Sequence, residues 1–204
     1  MKNFPKAFAA LAALSFVGTS AFAQLTVNGA VNATSCALGV TTSATGTPTV
    51  TTIIRLSDIL TSNARLAVNG AVGPIQDTAT NTSFFVRPTA TTCGTTGTAG
   101  TFNVYFTPGS LDTNAPTKVA NTATGTKATN LVIDLVPTSG TTVAPLTSGI
   151  DMTQTTAATQ HGLAAATIST GATLNFNARY YKTTLAATTG STVTGAYTLV
   201  GVYP

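Results

Sequence analysis

Thr173-Leu174-Asn175-Phe176-Asn177-Ala178-Arg179-Tyr180-Tyr181 alternates apolar with polar side chains along its length. Successive side chains of an extended strand point to opposite faces, so Leu174, Phe176, Ala178 and Tyr180 line one face of a strand. Working outward, Asn130 to Val136 repeats the device, with Leu131, Ile133 and Leu135 on one face. Leu25 to Val27, Thr51 to Leu56, Ser83 to Arg87, Thr101 to Phe106 and Ala196 to Tyr203 are rich in the β-branched and aromatic residues that favour strands. Thr107-Pro108-Gly109-Ser110 and Pro137-Thr138-Ser139-Gly140 punctuate them as turns. The pattern predicts an all-β, antiparallel sandwich.

Elsewhere the signals are weaker. Leu56 to Leu60 reads as one helical turn, and Met152 to Ala166 is ambiguous between helix and strand. The Thr-rich stretches Gly39 to Thr49 and Gly94 to Gly100 read as loops. The 204 residues contain no internal repeat and no linker, so one domain is expected.

Only 7% of the residues are charged, against 43% hydrophobic. A typical soluble domain carries about a quarter charged residues, so the surface here is largely neutral hydroxyl. Met1 to Lys6 is basic, Ala7 to Val17 is a small-apolar run, and Ala21-Phe22-Ala23 is a small-x-small cleavage site. These features together describe a secretory signal peptide over residues 1–23, leaving Gln24 to Pro204 for export. The run falls far short of the roughly 20 residues that span a bilayer. Loss of Lys2 and Lys6 lowers the formal charge from +4 to +2, and no basic stripe remains to grip phosphate, which argues against nucleic acid as a partner. In an exported chain the two cysteines, Cys36 and Cys93, are most simply one disulfide. The alternative is two free thiols, which titration of the denatured, unreduced chain would reveal.

The sequence holds few catalytic ingredients. It has no Glu, and its five acidic residues, Asp58, Asp77, Asp112, Asp134 and Asp151, lie far apart. Paired-carboxylate catalysis has little support from that spacing. His161 is the single histidine, so a two-histidine zinc site is impossible and any Ser-His-Asp triad must use this residue, which reads as an ordinary loop residue. There is no glycine-rich phosphate loop, and neither metal nor cofactor is called for. An enzyme is not expected. A hydrolase built on His161 ranks last among the readings, and unchanged turnover after His161→Ala would eliminate it.

Gly29-Ala30-Val31-Asn32-Ala33-Thr34-Ser35-Cys36-Ala37-Leu38 resembles the start of the pilin body in type 1 fimbrial subunits of the chaperone-usher class. Asn177-Ala178-Arg179-Tyr180-Tyr181-Lys182-Thr183 is similar to that family's Ala-Arg-Tyr segment, and Tyr203 stands at the penultimate position of the last strand, Gly195 to Pro204. Ala128 to Ile133 resembles its mid-domain strand. The resemblance covers most of residues 24–204 and is most specific at the C-terminal end. It implies an incomplete immunoglobulin-like sandwich, which a donor strand from a neighbouring subunit completes. It also implies a periplasmic chaperone and an outer-membrane usher as partners, and copies of this chain or related pilins in a filament on the bacterial cell surface.

On that reading the acceptor-groove edge and chaperone contact is Tyr197, Leu199, Val200, Gly201, Val202 and Tyr203. Tyr197, Leu199, Gly201 and Tyr203 share one face, with Val200 and Val202 on the other. The donor segment is residues 24–31, with Leu25, Val27, Gly29 and Val31 as the inserted series. The same alternation also describes the first core strand of an ordinary sandwich. Two features depart from the family pattern. Only Gln24 to Asn28 precede Gly29, where the family has ten or more residues, and Gly201 stands where a larger apolar residue is usual. The expected function is a structural subunit of an adhesive fimbria. The alternative is a fimbrial adhesin, or a terminating minor subunit, that binds a surface glycan.

Overall fold

The computed structural model describes residues 20–30, 38–49, 51–60, 72–75, 81–89, 101–138, 149–167, 173–186, 188–189 and 192–202. Among the described residues, ten strands and one helical turn run in the order β1 (Ser20–Ala30), β2 (Leu38–Thr41), β3 (Thr51–Leu60), β4 (Gly73–Pro74), β5 (Thr82–Pro88), β6 (Thr101–Pro108), β7 (Leu131–Thr138), α1 (Ala157–Gln160), β8 (Ala166–Thr167), β9 (Leu174–Lys182) and β10 (Thr192–Val202).

They form two sheets. The first has the order β3-β1-β10-β6-β8. All its neighbours are antiparallel except β1 and β10, which run parallel from Phe22↔Thr192 to Ala30↔Val200. In the second, β9 carries β7 on one edge, and β5 followed by β4 on the other; β2 lies beyond β5. The chain is thus an all-β sandwich.

The alternation along Thr173 to Tyr181 is realised in β9, where Leu174, Phe176, Ala178 and Tyr180 are buried and the residues between them half-buried. Phe176 meets Phe106 of the opposite sheet edge-to-face at 5.0 Å between ring centroids and stacks on Phe84 at 5.5 Å. Tyr197 joins the cluster through Phe106 at 6.3 Å. Offset and T-shaped pairs of this kind suit the ring quadrupole and hold the two sheets in one core.

Several expectations change. Leu56 to Leu60 is not a helical turn but the second half of β3, because the backbone of β1 pairs with it: Ala23↔Leu56, Ala21↔Ile59 and Ser20↔Leu60. A neighbouring strand that satisfies the main chain outweighs a weak local preference. The stretch Gly39 to Thr49 is a loop only in its middle. It opens within β2 and closes on a Val40↔Thr49 bridge. β10 begins at Thr192, four residues before the expected Ala196. In β7 both faces are buried, so Val132, Asp134 and Val136 are as enclosed as Leu131, Ile133 and Leu135. Met152 to Ala166 contains α1 and the start of β8. Asn130 enters β7 at φ 60, a left-handed turn that Asn tolerates better than most residues. Gly94 to Gly100, Cys36 and Cys93 lie outside the described residues, as do residues 1–19 of the expected leader.

Candidate functional site

The candidate site is the slot that β1 fills between β3 and β10. Leu25 and Val27 point into the core and are fully buried, whereas Gln24 and Thr26 on the opposite face are half-buried. Leu25 lies opposite Gly195 on one side and Ile54 on the other; Val27 lies opposite Tyr197 and Thr52. Gly29 is paired with Leu199, and Val31 lies outside the described residues.

β10 presents Val193, Tyr197 and Leu199 to the core, all at or near zero exposure. The inward face of the last strand is therefore that of Tyr197 and Leu199. Val200 and Gly201 are half-buried, Val202 is 40% exposed on the outer face, and Tyr203 lies outside the described residues. Tyr197 reaches across the sandwich to donate its hydroxyl hydrogen bond to Ile133 O at 2.6 Å. Burial raises its phenol well above the ordinary range, with the Asp134 charge adding to the effect, so it stays a donor.

Both edges of β10 are occupied. One is β1. On the other, β6 pairs from Tyr197 to Val202, and the segment 121–128 takes over at the start of the strand. Asn121 secures that junction: Nδ2 donates to Ala128 O and Thr192 O, and Oδ1 accepts from Thr194 N at 2.9 Å.

The far edge of β6 is closed by side chains rather than by a long strand. Gln160 accepts from Phe106 N and donates to Phe106 O, both at 2.7 Å, imitating the pairing of a neighbouring strand. His161 sits beside it, buried, with Nε2 2.6 Å from Val104 O and Nδ1 accepting from Leu163 N at 3.1 Å. That pattern places the proton on Nε2. Burial lowers the imidazole pKa, only partly offset by the Val104 carbonyl. Rather than an ordinary loop residue, His161 is a buried ring following α1, packed edge-to-face on Phe176 at 5.5 Å. With both nitrogens engaged by backbone, it closes an edge.

Sequence reasoning missed a buried charge cluster. Asp134, fully enclosed in β7, is the register partner of Arg179 in β9. Arg179 donates to Oδ2 from Nε at 2.9 Å and from Nη2 at 2.7 Å, and Lys118 Nζ lies 2.8 Å from Oδ1. The available signal was a single acid inside the apolar run Leu131 to Val136. Such a position is rarely enclosed unless its charge is paired.

Compared with known proteins, the chain matches no family pattern and no curated sequence.

Proposed function

We propose that the protein is a structural subunit of an adhesive surface fimbria, assembled by exchange of its N-terminal strand between copies. The observation that carries this reading is the placement of β1. A strand at the N-terminal end of the described chain lies inside a sheet, beside the last strand, and supplies Leu25 and Val27 to the core. With residues 1–23 removed, Gln24–Ala30 can leave the slot without unthreading anything, and the same segment of another copy can re-create its main-chain and side-chain contacts. The donor of one copy and the slot of the next are different surfaces. The contact is therefore heterologous, and where its rotation does not close a ring it extends as a filament.

On this reading the immunoglobulin-like body is incomplete without a strand in the slot. A periplasmic chaperone holds the slot before an outer-membrane usher delivers the next subunit, and the chain is exported after loss of residues 1–23. That loss takes Ser20–Ala23 and their pairing with Leu56–Leu60 from β1 and leaves Gln24–Ala30 to fill the slot. Cys36 and Cys93 form the disulfide.

The test is an unheated SDS gel of material sheared from the cell surface. Strand-completed subunits resist detergent kinetically, so a ladder of multiples that collapses to one band on boiling is expected. A single monomer band before boiling would reject exchange. Deleting Gln24 to Asn28 removes Leu25 and Val27, and should abolish filaments while leaving chaperone-bound monomer.

A second reading, a glycan-binding adhesin, draws on a cleft of about 370 Å³ where Tyr105, Asn103, Thr155, Thr156 and Val202 come together. It combines an aromatic ring with hydroxyls. The Asn103 amide, however, is committed to Leu163 O and Val104 N, and the Thr156 hydroxyl caps α1. The cleft therefore offers a sugar few polar partners, and no hits on a glycan array would remove this reading.

A further inference from the structure

The Lys118-Asp134-Arg179 cluster has the parts for a covalent bond. Lys118 Nζ and Asp134 Oδ1 are 2.8 Å apart, with side chains 4% and 0% exposed. Lys118 stands in the loop between β6 and β7, and Asp134 in β7, so the pair joins two separate segments. Gly149, at φ +74, lies so close to Asp134 that a Cβ there would collide with both carboxylate oxygens. Backbone thus covers the carboxyl on that side, where a side chain would force it away. Ile150 O accepts from Lys118 Nζ at 3.1 Å and fixes the direction of the amine.

We infer that Lys118 and Asp134 condense in the folded protein to an amide, cross-linking the loop before β7 to β7 itself. Two cations and one anion are enclosed together, and a proton passed from Nζ to Oδ1 over 2.8 Å turns the pair into a neutral amine and a neutral acid. Burial raises the Asp134 carboxyl pKa against the pull of Lys118 and Arg179, and so favours that acid form. The Nζ lone pair then attacks Cγ. Charge develops on Oδ2, where the Nε and Nη2 hydrogens of Arg179 already point; donors fixed in advance at a developing oxyanion lower the barrier. Oδ1, carrying the proton from Lys118, takes a second from Nζ and leaves as water as the C–O bond breaks. An ammonium and a carboxylate become an amide and one water, with no change in oxidation state or net charge. Arg179 keeps its charge, and its side chain, 13% exposed, is the one of the three that most reaches solvent. Contact enforced by the fold supplies the effective concentration that two free side chains lack.

The full chain, purified folded and then reduced and denatured, is digested with trypsin and mapped by mass. Arg87 precedes Pro88 and resists cleavage, so an unmodified chain yields residues 66–118, 119–127 and 128–179 as separate peptides. The expected result is that Lys118 is not cut. Residues 66–127 then travel with residues 128–179 as one branched species, lighter than the sum of the two by one water. Lys118→Arg keeps the cation but removes the nucleophile, and should return three separate peptides of full mass. Recovery of 66–118 and 119–127 as free peptides from the unsubstituted chain would overturn the inference, whatever the variant does.

Discussion

His161 shows how a single residue couples the fold to pH. Its ring is neutral when folded, because Nδ1 accepts from Leu163 N and a proton placed there would oppose an N–H. Its folded pKa is lowered by burial, while the unfolded ring titrates near 6.5. As pH falls through about 6.5 the unfolded chain takes up a proton and the folded chain does not. The stability due to a neutral His161 is therefore complete above that pH and lost progressively below it, down to the folded pKa. Urea midpoints at about pH 7.5 and about pH 5.5 should differ in the unsubstituted protein and differ less in His161→Gln. Equal acid losses in both would show that other groups carry the pH dependence. The sequence revealed that His161 is alone, which restricts its chemistry. That it closes the β6 edge follows from Val104 and Leu163, 57 and 2 residues away, coming to its two nitrogens.

Among the elements, β1 joins the site to the core. Its alternation was legible, and Leu25 and Val27 are on the inward face as their spacing requires. Its direction and neighbours were not. Period-two patterning shows which side chains share a face, but says nothing of whether the strand beside them runs parallel or antiparallel. Leu25→Ala should cost about 2–5 kcal/mol in denaturant unfolding, the usual range for emptying a buried leucine site. Thr26→Ala, on the half-buried outer face, should cost well under 1 kcal/mol, roughly as expected for a surface change. Comparable losses at the two positions would contradict the inward placement of Leu25. β3 makes the complementary point: Leu56 to Leu60 has a helical look in isolation, and the main chain of β1 draws it into the sheet.

At the scale of the whole molecule, β1 and β10 stand at opposite ends of the described chain and pair over nine positions. Closing so distant a contact loses chain entropy before any pairing is gained, which makes folding slow in sheet proteins. Refolding should therefore take milliseconds to seconds or longer, roughly the range for high-contact-order β domains. The chain has no Trp, so tyrosine fluorescence is the convenient signal, with Tyr180 and Tyr197 both buried. Complete recovery in microseconds would mean that β1 and β10 need not meet for the core to form. The same separation suits the proposed exchange: a strand whose partner lies at the far end of its own chain can find an identical partner in a neighbour.

The sequence by itself determined the all-β class, the positions of most strands and the inward faces of β1 and β9, because these follow from the local period of apolar side chains. β10, in contrast, is apolar on both faces, and its inward one was decided by packing. Tertiary structure decided which strands are neighbours, the parallel register of β1 on β10, the edge closure by Gln160 and His161, and the enclosure of Asp134 between Lys118 and Arg179. Each of these depends on contacts between residues tens to more than a hundred positions apart, and the pattern around any one residue carries no record of them.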